Sequence, residues 1–244
     1  MNLKHITFII IYFVSFALFS QTIEPSSGIK KRYFQIEFET IYSIQKKASK
    51  TIKSWSIPSV LCRYGLSKNI ELQVNLPIVR ENLYENDYLI HSLYKFDNIQ
   101  IGLSMNIWKK KKIITEGALL LRAILPIHKN LKFSKIGHIV SLNMSKILTD
   151  KFTVSINFGI VTEITKTTTG FYIANVDFKP NTKIHFFIEN FGDFNSVAII
   201  SHNVNSGFGF IINKSLAIDF SVANGINHHL FYIGGVITWK PNSK

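Results

Sequence analysis

The sequence predicts an all-β protein, an antiparallel up-and-down transmembrane β-barrel of about twelve strands. Apolar and polar residues alternate with a period of two in many segments, as over Ile70–Leu76, so each such strand has one apolar and one polar face. A hairpin of two such strands recurs at residues 60–79, 140–161 and 206–225. The links between strands also differ in length at the two ends of the predicted sheet. Repeated hairpins with one apolar face and sorted links are typical of a membrane barrel.

The length and composition indicate a single β-domain behind an export signal. The chain has 244 residues, of which 46% are hydrophobic, too many for a disordered protein. An apolar run over residues 6–19 is too short to cross a bilayer, and Ser20 provides a small residue before a cut at Gln21. We therefore expect a cleaved signal peptide over 1–20, a flexible N-terminal lead over 21–32, a β-barrel over 33–239 and a C-terminal tail over 240–244.

The strands follow one another with short polar breaks. The alternation of apolar and polar residues is strongest over residues 98–108, and Pro126 ends the strand that begins at Thr115, because proline cannot donate to a strand ladder. The predicted strands cover residues 33–43, 53–66, 70–78, 98–108, 115–125, 137–148, 151–164, 170–179, 182–191, 195–212, 215–224 and 229–239.

The links after even-numbered strands are short, and most of those after odd-numbered strands are longer. Outer-membrane barrels have this arrangement, with an even number of strands, short periplasmic turns and longer outer loops. The longest predicted outer loop covers residues 80–97, and a basic loop covers residues 44–51. The short links are residues 67–69, 109–112, 149–150, 180–181 and 213–214.

The last strand resembles the C-terminal signal that outer-membrane barrels present to their insertion machinery. Tyr232, Gly234, Ile237 and Trp239 carry this resemblance, which implies the barrel insertion machinery as a partner. Residues 240–244 extend beyond an aromatic that usually ends such a chain. Together with the export signal, this strand predicts a location in the outer membrane of a Gram-negative-type bacterium.

The charge and the single cysteine limit the classes of partner and site. A net charge of +13 would suit nucleic acid, but the lysines lie in predicted loops without aromatics on a shared strand face, so we expect no nucleic acid partner. For an exported chain, outer-membrane lipid head groups are the expected anionic partner. Cys62 has no second cysteine to pair with, which excludes an internal disulfide and a thiolate metal cluster. We predict no cofactor and no metal.

The apolar faces of the strands are predicted to contact lipid. Lipid offers no hydrogen-bond partner, so the sheet must close on itself. Trp239 would belong to an interfacial aromatic girdle, whereas Trp55 and Trp108 fall in the other phase of the alternation. The lipid-facing set is Phe34, Ile36, Phe38, Ile70, Leu72, Val74, Ile99, Ile101, Leu103, Phe152, Val154, Ile156, Phe158, Leu216, Ile218, Phe220, Phe231, Ile233 and Ile237.

The opposite faces are predicted to line the lumen. A barrel of about twelve strands lies between eight strands, which side chains nearly fill, and sixteen, which leave a water channel. The inner acids can attract cations along a passage, or they can pair with Arg63 and Arg122 and fill the interior. The substitution Leu72→Arg, on the lipid face, should hinder assembly of the barrel, whereas Gln73→Arg, on the inner face, should have a mild effect on assembly. The lumen-lining candidates are Glu37, Glu39, Arg63, Glu71, Gln73, Glu116, Arg122, Asp177, Glu189 and Asp219.

An enzyme is the least favoured function. Some outer-membrane barrels are lipid hydrolases with a His and a Ser on the lipid face, and His202 is in phase with apolar neighbours. However, Ser206 lies four residues farther along an extended strand, roughly 13 Å away at about 3.3 Å per residue. We therefore predict that the protein is not an enzyme. His228 and His229 form a pair without further clustered ligands, which argues against a metal site.

Two segments resemble a known family of outer-membrane proteins. The segment PSVLCRYGLSKNIELQVNLPI, with Arg63-Tyr64-Gly65-Leu66, and the late stretch with His202-Asn203 and Gly207 are similar to outer-membrane β-barrel transporters of the phenol meta-degradation (MetA-pathway) type, abundant in Bacteroidota-like bacteria. The resemblance runs from about residue 33 to residue 239 and supplies no catalytic or binding residues. It implies passage of aromatic or other small apolar compounds.

Two functions from different classes remain open at this stage. The first is a porin-like passive transporter or channel for small molecules, with the polar inner face as its pathway. The second is a plugged barrel with a structural or partner-binding role, acting through its outer loops. Salt bridges of Arg63 and Arg122 to inner acids would favour the second, and unpaired inner polar groups would favour the first.

Overall fold

The computed structural model describes residues 23–109, 115–127, 136–195 and 199–241. The predicted signal peptide, most of the four-lysine link over 109–112 and the end of the C-terminal tail lie outside the described residues. Among the described residues, no helix is long and apolar enough to cross a membrane. The regular structure in this part of the chain consists of β-strands.

The chain forms fourteen strands in its described part. Several of their bounds match the predicted strands within one residue, including those that end at Leu125 and Trp239. The strands are β1 (Phe34–Lys47), β2 (Lys50–Gly65), β3 (Ile70–Leu76), β4 (Ile78–Glu85), β5 (Tyr88–Phe96), β6 (Ile99–Lys109), β7 (Thr115–Leu125), β8 (Gly137–Ile147), β9 (Phe152–Thr162), β10 (Thr168–Phe178), β11 (Ile184–Phe194), β12 (Ile199–Asn213), β13 (Leu216–Gly225) and β14 (His229–Trp239).

The sheet closes into a barrel because β1 pairs with both β14 and β2. Neighbouring strands are antiparallel, and β2 pairs with β3 along one half and with β4 along the other, so β3 and β4 form one crossing interrupted at Pro77. In the same way, β6 pairs with β3 and β5 pairs with β4, so β5 and β6 together form one further crossing of the barrel wall. The prediction of a twelve-strand up-and-down barrel is confirmed.

The two rims of the barrel differ from the prediction in one respect. We call the rim with Phe34 and Trp239 the terminal rim and the other the opposite rim. The predicted outer loop over residues 80–97 is wrong, because β4 and β5 occupy it and turn at Asn86 and Asp87, both with positive φ. The predicted loop over 44–51 is likewise mostly strand. Three links at the opposite rim, over 48–49, 86–87 and 226–228, are as short as those at the terminal rim, so the predicted difference in link length between the two rims is wrong at these positions.

The outer face carries the predicted apolar band. Phe158 and Ile233 are each 54% exposed, which fits side chains that meet lipid instead of protein. The strand pairing shifts at the β1–β2 bulge and again between Asn106 and Trp108. Each bulge inserts a residue and changes the phase of the strand. Trp55 and Trp108 therefore share the outer face with Trp239, which the sequence alternation did not indicate.

Candidate functional site

The lumen contains the described part of the predicted flexible lead. Residues 23–32, which we call the plug, leave β1 at the terminal rim and run into the barrel. Arg32 has a positive φ of 67°, and Tyr33 donates its backbone N–H to Lys30 O at 2.9 Å, which together form the turn at the rim. The chain then passes from Ile29 to Ile23 between walls formed by widely separated strands.

Glycine at position 65 allows the plug to pass over the end of β2. The amide of Arg32 donates to Gly65 O at 2.8 Å, and the amide of Gly65 donates to Tyr33 O at 3.0 Å. A Cβ at Gly65 would lie 2.2 Å from Lys30 O and 2.8 Å from Ile29 O, closer than real Cβ atoms approach backbone. The course of the plug therefore requires a residue without a side chain here.

Hydrogen bonds hold the middle of the plug to the wall. The Ile29 amide donates to Glu71 Oε2 at 2.8 Å, and the Gly28 amide donates to Asn106 Oδ1 at 3.0 Å. Asn106 Nδ2 in turn donates to Ser26 O at 2.5 Å. The hydroxyls of Ser26 and Ser145 lie 2.5 Å apart. Small polar residues of the plug thus bond to β3, β6 and β8.

An ion pair links the plug to β7. Arg122 Nη2 donates to Glu24 Oε1 at 2.5 Å, and Arg122 Nε donates to Gln73 Oε1 at 3.0 Å. Gln73 is 1% exposed and donates to Glu71 Oε1 at 2.6 Å. Arg122 therefore connects the plug to the inner face of β3.

A second arginine pairs with acids of the wall. Arg63 Nη2 lies 2.6 Å from Glu71 Oε1, and Arg63 Nη1 lies 3.4 Å from Glu37 Oε1. Glu71 has no solvent exposure, and Arg63 is 4% exposed. Buried charges of this kind require partners, and both have them. These are the salt bridges that the sequence analysis associates with a filled interior.

Toward the opposite rim the inner face becomes apolar. Ile23 of the plug packs against a buried cluster on four strands, and a second cluster of Ile124, Ile139 and Val161 lies farther round the barrel. We call these side chains the apolar belt. The four buried residues of the cluster against which Ile23 packs are Ile173, Phe191, Ala223 and Tyr232. The belt is not evident from the sequence, because apolar strand residues are expected on the lipid face.

Toward the terminal rim a cavity of about 560 Å³ lies between the plug and β9–β14. We call this cavity the vestibule. Glu189 lies in its wall and accepts hydrogen bonds from Asn175 Nδ2 at 3.1 Å, from Asn205 Nδ2 at 2.8 Å and from the backbone of Ile23. Asp219 lies 3.0 Å from His185 Nε2. Lys179, Lys214 and Lys240 also line the vestibule, so it carries charged side chains of both signs.

The structure places the ten predicted lumen residues on the inner face, in two groups. One group contacts the plug or the arginines beside it, and the other lines the vestibule. Glu116 is paired with Ser145 across β7 and β8, next to the plug. The first group is Glu37, Arg63, Glu71, Gln73, Glu116 and Arg122, and the second is Glu39, Asp177, Glu189 and Asp219.

The four residues of the predicted insertion signal do not share a face. Tyr232 is buried inside the barrel in the apolar belt, whereas Ile237 and Trp239 are exposed on the outer face. Gly234 pairs with Ile41 of β1, and a Cβ there would meet the Ile41 side chain at 2.8 Å. Recognition by the insertion machinery stays a prediction.

His202 lies on the outer face, away from the serines of its own strand. Its Nδ1 lies 3.0 Å from Tyr172 Oη, and its Nε2 lies 2.9 Å from Asn190 Nδ2. Ser201 instead donates its hydroxyl to Asp193 Oδ2 at 2.8 Å. The described residues thus bring no serine hydroxyl to His202. They also contain no group of three or more His, Cys, Asp or Glu side chains able to hold a metal ion.

The loop between β9 and β10 holds a carboxyl group with a raised pKa at the opposite rim. Burial, and then the charge of Asp97, raise the pKa of Glu163 from 4.5 to about 7. The amide of Glu163 donates to Thr167 O at 2.8 Å, which closes the loop on itself. Glu163 is therefore a group outside the strands that titrates near neutral pH.

Solved structures with the same fold are outer-membrane proteins. An outer-membrane channel of the COG4313 type from Pseudomonas putida F1 aligns with a TM-score of 0.68 at 8% identity, over 90% of this chain and 100% of that one. The transport unit of the autotransporter AIDA-I from Escherichia coli aligns at 0.60 with 8% identity, over 96% of each chain. A KdgM porin in complex with disordered oligogalacturonate aligns at 0.55 with 10% identity, over 84% of this chain and 98% of that one.

These similarities establish the barrel fold and nothing finer. No protein-family model matches the chain, and no curated protein matches it. Membership of the phenol meta-degradation family therefore stays a prediction. Proteins with different tasks share the fold, so the function has to be argued from the lumen of this chain.

Proposed function

We propose that the protein is an outer-membrane channel for small solutes and that the plug closes it at rest. The observation that carries the proposal is the plug itself, a segment inside a closed barrel that is held mainly by polar contacts. Water can replace such contacts at little net cost, because a typical hydrogen bond contributes only about 1 kcal/mol to stability. Closure by these contacts is therefore reversible.

The outer surface supports a location in the outer membrane. The exposed apolar band would be costly in water, and closure of the sheet satisfies the strand ladder as lipid requires. The start of β1 and the end of β14 lie at the terminal rim, which in outer-membrane barrels faces the periplasm. The opposite rim, with the β4–β5 hairpin, would then face the outside.

The inner surface supports passage of small, largely apolar or aromatic molecules. A solute that crosses the barrel must pass the apolar belt, where an ion would lose water without gaining a charged partner. The vestibule would receive the same solute in a volume of about 560 Å³. The COG4313 protein is described as a channel and KdgM as a porin, which supports the broader part of the proposal.

A reversible lock on the plug tests this function. Ser26 and Ser145 have hydroxyls 2.5 Å apart, so cysteines at both positions can form a disulfide between plug and wall. The variant Ser26→Cys/Ser145→Cys is made with Cys62→Ser, purified, refolded and measured in a planar bilayer. We expect no conductance when it is oxidised, and conductance events as frequent as those of the parent when it is reduced.

The single variant Ser26→Cys, also with Cys62→Ser, is the matched control because it cannot form the bridge. Its conductance should not depend on reductant. A second variant that lacks residues 23–29 should conduct steadily. Equal conductance of the oxidised and reduced double variant, with the disulfide verified by mass, would refute gating by the plug. A silent deletion variant would refute the channel.

The second candidate is a permanently plugged barrel that binds a partner at the opposite rim. The ion pairs of Arg63 and Arg122 favour it, and so does the β4–β5 hairpin, where Tyr88 is 78% exposed. The predicted outer loop over 80–97 is this hairpin. The double-cysteine variant separates the two functions, because a permanently plugged barrel stays silent when the disulfide is reduced as well as when it is oxidised.

A further inference from the structure

Four residues form a row on the outer face of β1, β2, β4 and β5. Tyr42 pairs with Trp55, Trp55 with Arg80, and Arg80 with Tyr94. Paired residues of neighbouring strands lie on the same face of a sheet. The rings of Tyr42 and Trp55 meet edge to face with centroids 5.8 Å apart. The row thus has three aromatic side chains and one guanidinium.

On β3 and β4 the row lies where the apolar residues of the outer face end. On β3 and β4, the outward residues below the row are apolar up to Ile78, and those above it begin with Asn82. Trp55 is 45% exposed and Tyr94 is 67% exposed, so the rings are available to a ligand. Trp and Tyr at the end of an apolar band mark the level of the lipid head groups.

Two lysines extend the row toward the opposite rim. Lys53 pairs with Asn82, directly above Trp55 and Arg80, and its Nζ lies 4.6 Å from the ring centroid of Tyr84. Lys46 follows one row higher, opposite His229. Among the described residues, no carboxylate forms an ion pair with Arg80 or Lys53. Their charges are therefore available to a ligand from outside the chain.

We propose that this surface, which we call the head-group site, binds the phosphate of a lipid in the outer leaflet. Arg80 presents a planar fork that matches phosphate oxygens, and Lys53 adds a second positive charge one row higher. Trp55 and Tyr42 pack beside the glycerol or sugar that links the phosphate to the acyl chains. The proposal rests on the proposed function only for the membrane location of the barrel.

Arg80 lies beside the rings of Tyr42 and Trp55, and this combination favours a lipid over a soluble anion as the ligand. A soluble phosphate would use Arg80 and Lys53 but would leave Trp55 and the apolar band below it without a role. A phosphorylated lipid contacts the cations, Trp55 and the apolar band, because its phosphate lies at the level of the cations and its acyl chains lie along the band.

Quenching of Trp55 fluorescence tests the head-group site. Trp108→Phe and Trp239→Phe leave Trp55 as the single tryptophan. The protein is reconstituted into phosphatidylcholine bilayers in which either phosphatidic acid or an equal share of phosphatidylcholine carries brominated chains. We expect stronger quenching by phosphatidic acid. In Arg80→Gln/Lys53→Gln the preference of the site for phosphatidic acid over phosphatidylcholine should fall about 25-fold, because each cation near the head groups contributes about 1 kcal/mol.

The matched control removes two charges from the other rim. Lys68→Gln/Lys151→Gln changes two exposed lysines in turns at the terminal rim, and the preference at Trp55 should not change. Arg80→Lys should retain most of the preference, and the single variants Arg80→Gln and Lys53→Gln should each lose about five-fold. These single changes give a readout even if the double variant does not refold.

Three results would overturn the head-group site. They are equal quenching by both lipids in the parent, an unchanged preference in Arg80→Gln/Lys53→Gln, and an equal loss in the terminal-rim control, which would indicate net charge alone. Failure of the parent to insert into either bilayer would instead count against the proposed function. Conductance of Arg80→Gln/Lys53→Gln should equal that of the parent, since neither residue lines the lumen.

Discussion

Alanine at Gly65 should displace the plug and leave the barrel folded. The added Cβ would lie 2.2 Å from Lys30 O and 2.8 Å from Ile29 O, and both are backbone atoms that cannot rotate away. Overpacking of this kind typically costs about 1–3 kcal/mol. Once the plug has withdrawn, Lys30 O and Ile29 O no longer lie near the added Cβ, so the cost of overpacking acts on the closed state alone. At about 1.4 kcal/mol per factor of ten, the ratio of open to closed channels should rise roughly 5- to 150-fold.

Single-channel recording measures this ratio as open probability. Gly235→Ala is the matched control, because the nearest atom to its Cβ would be Asp219 O at 3.3 Å and no atom of the plug is near it. Its open probability should equal that of the parent. If Gly65→Ala stayed as silent as the parent at unchanged thermal stability, the plug would not be the gate.

Two further predictions concern the wall and the opposite rim. Ile156→Arg, at the centre of β9 on the outer face, should reduce folding stability in bilayers by about 2–4 kcal/mol. Ser155→Arg places the same side chain toward the vestibule and should reduce stability much less. Equal losses of stability in a urea titration would mean that the two faces are assigned wrongly. The fold raises the pKa of Glu163 to about 7, so the folded state holds its proton more tightly than the unfolded state does. The free energy of unfolding should therefore fall as pH rises from about 4.5 to about 7 and then level off. Thermal unfolding of Glu163→Gln should lose this dependence, and retention of it would assign the titration to another group.

The outer face was predictable from the sequence because lipid imposes one rule on it. Most outward positions within the bilayer are apolar, so alternation identifies strands such as Thr115–Leu125 and His229–Trp239 with their bounds. Beyond the bilayer both faces of a strand meet water, and the rule ends. Tyr88–Phe96 mixes polar and aromatic residues on both faces, which is why the sequence analysis assigned a loop there.

The inner face was only half predictable. Polar residues such as Arg63, Glu71 and Arg122 alternate with the lipid-facing set and were placed on the inner face from sequence. Their partners depend on closure, and Glu24 comes from a segment whose Pro, Ser and Gly content indicates a loop. Gln73 shows the consequence. The effect of Gln73→Arg on assembly should be disruptive and not mild. Gln73 is 1% exposed, and an arginine at this position would add a third cation between Arg63 and Arg122.

The width of a twelve-strand barrel explains why the plug is built as it is. Wall side chains that nearly fill a barrel of eight strands leave a gap at twelve strands, and in this protein the plug occupies that gap. A plug of large apolar residues would close the gap permanently, because each buried leucine-sized side chain contributes about 1.5–3 kcal/mol. This plug places small polar residues against polar walls and a single isoleucine, Ile23, against the apolar belt. Opening therefore breaks one apolar contact, the Arg122–Glu24 ion pair and a few hydrogen bonds, and water that enters the vacated lumen solvates the freed polar groups, which is what a gate requires.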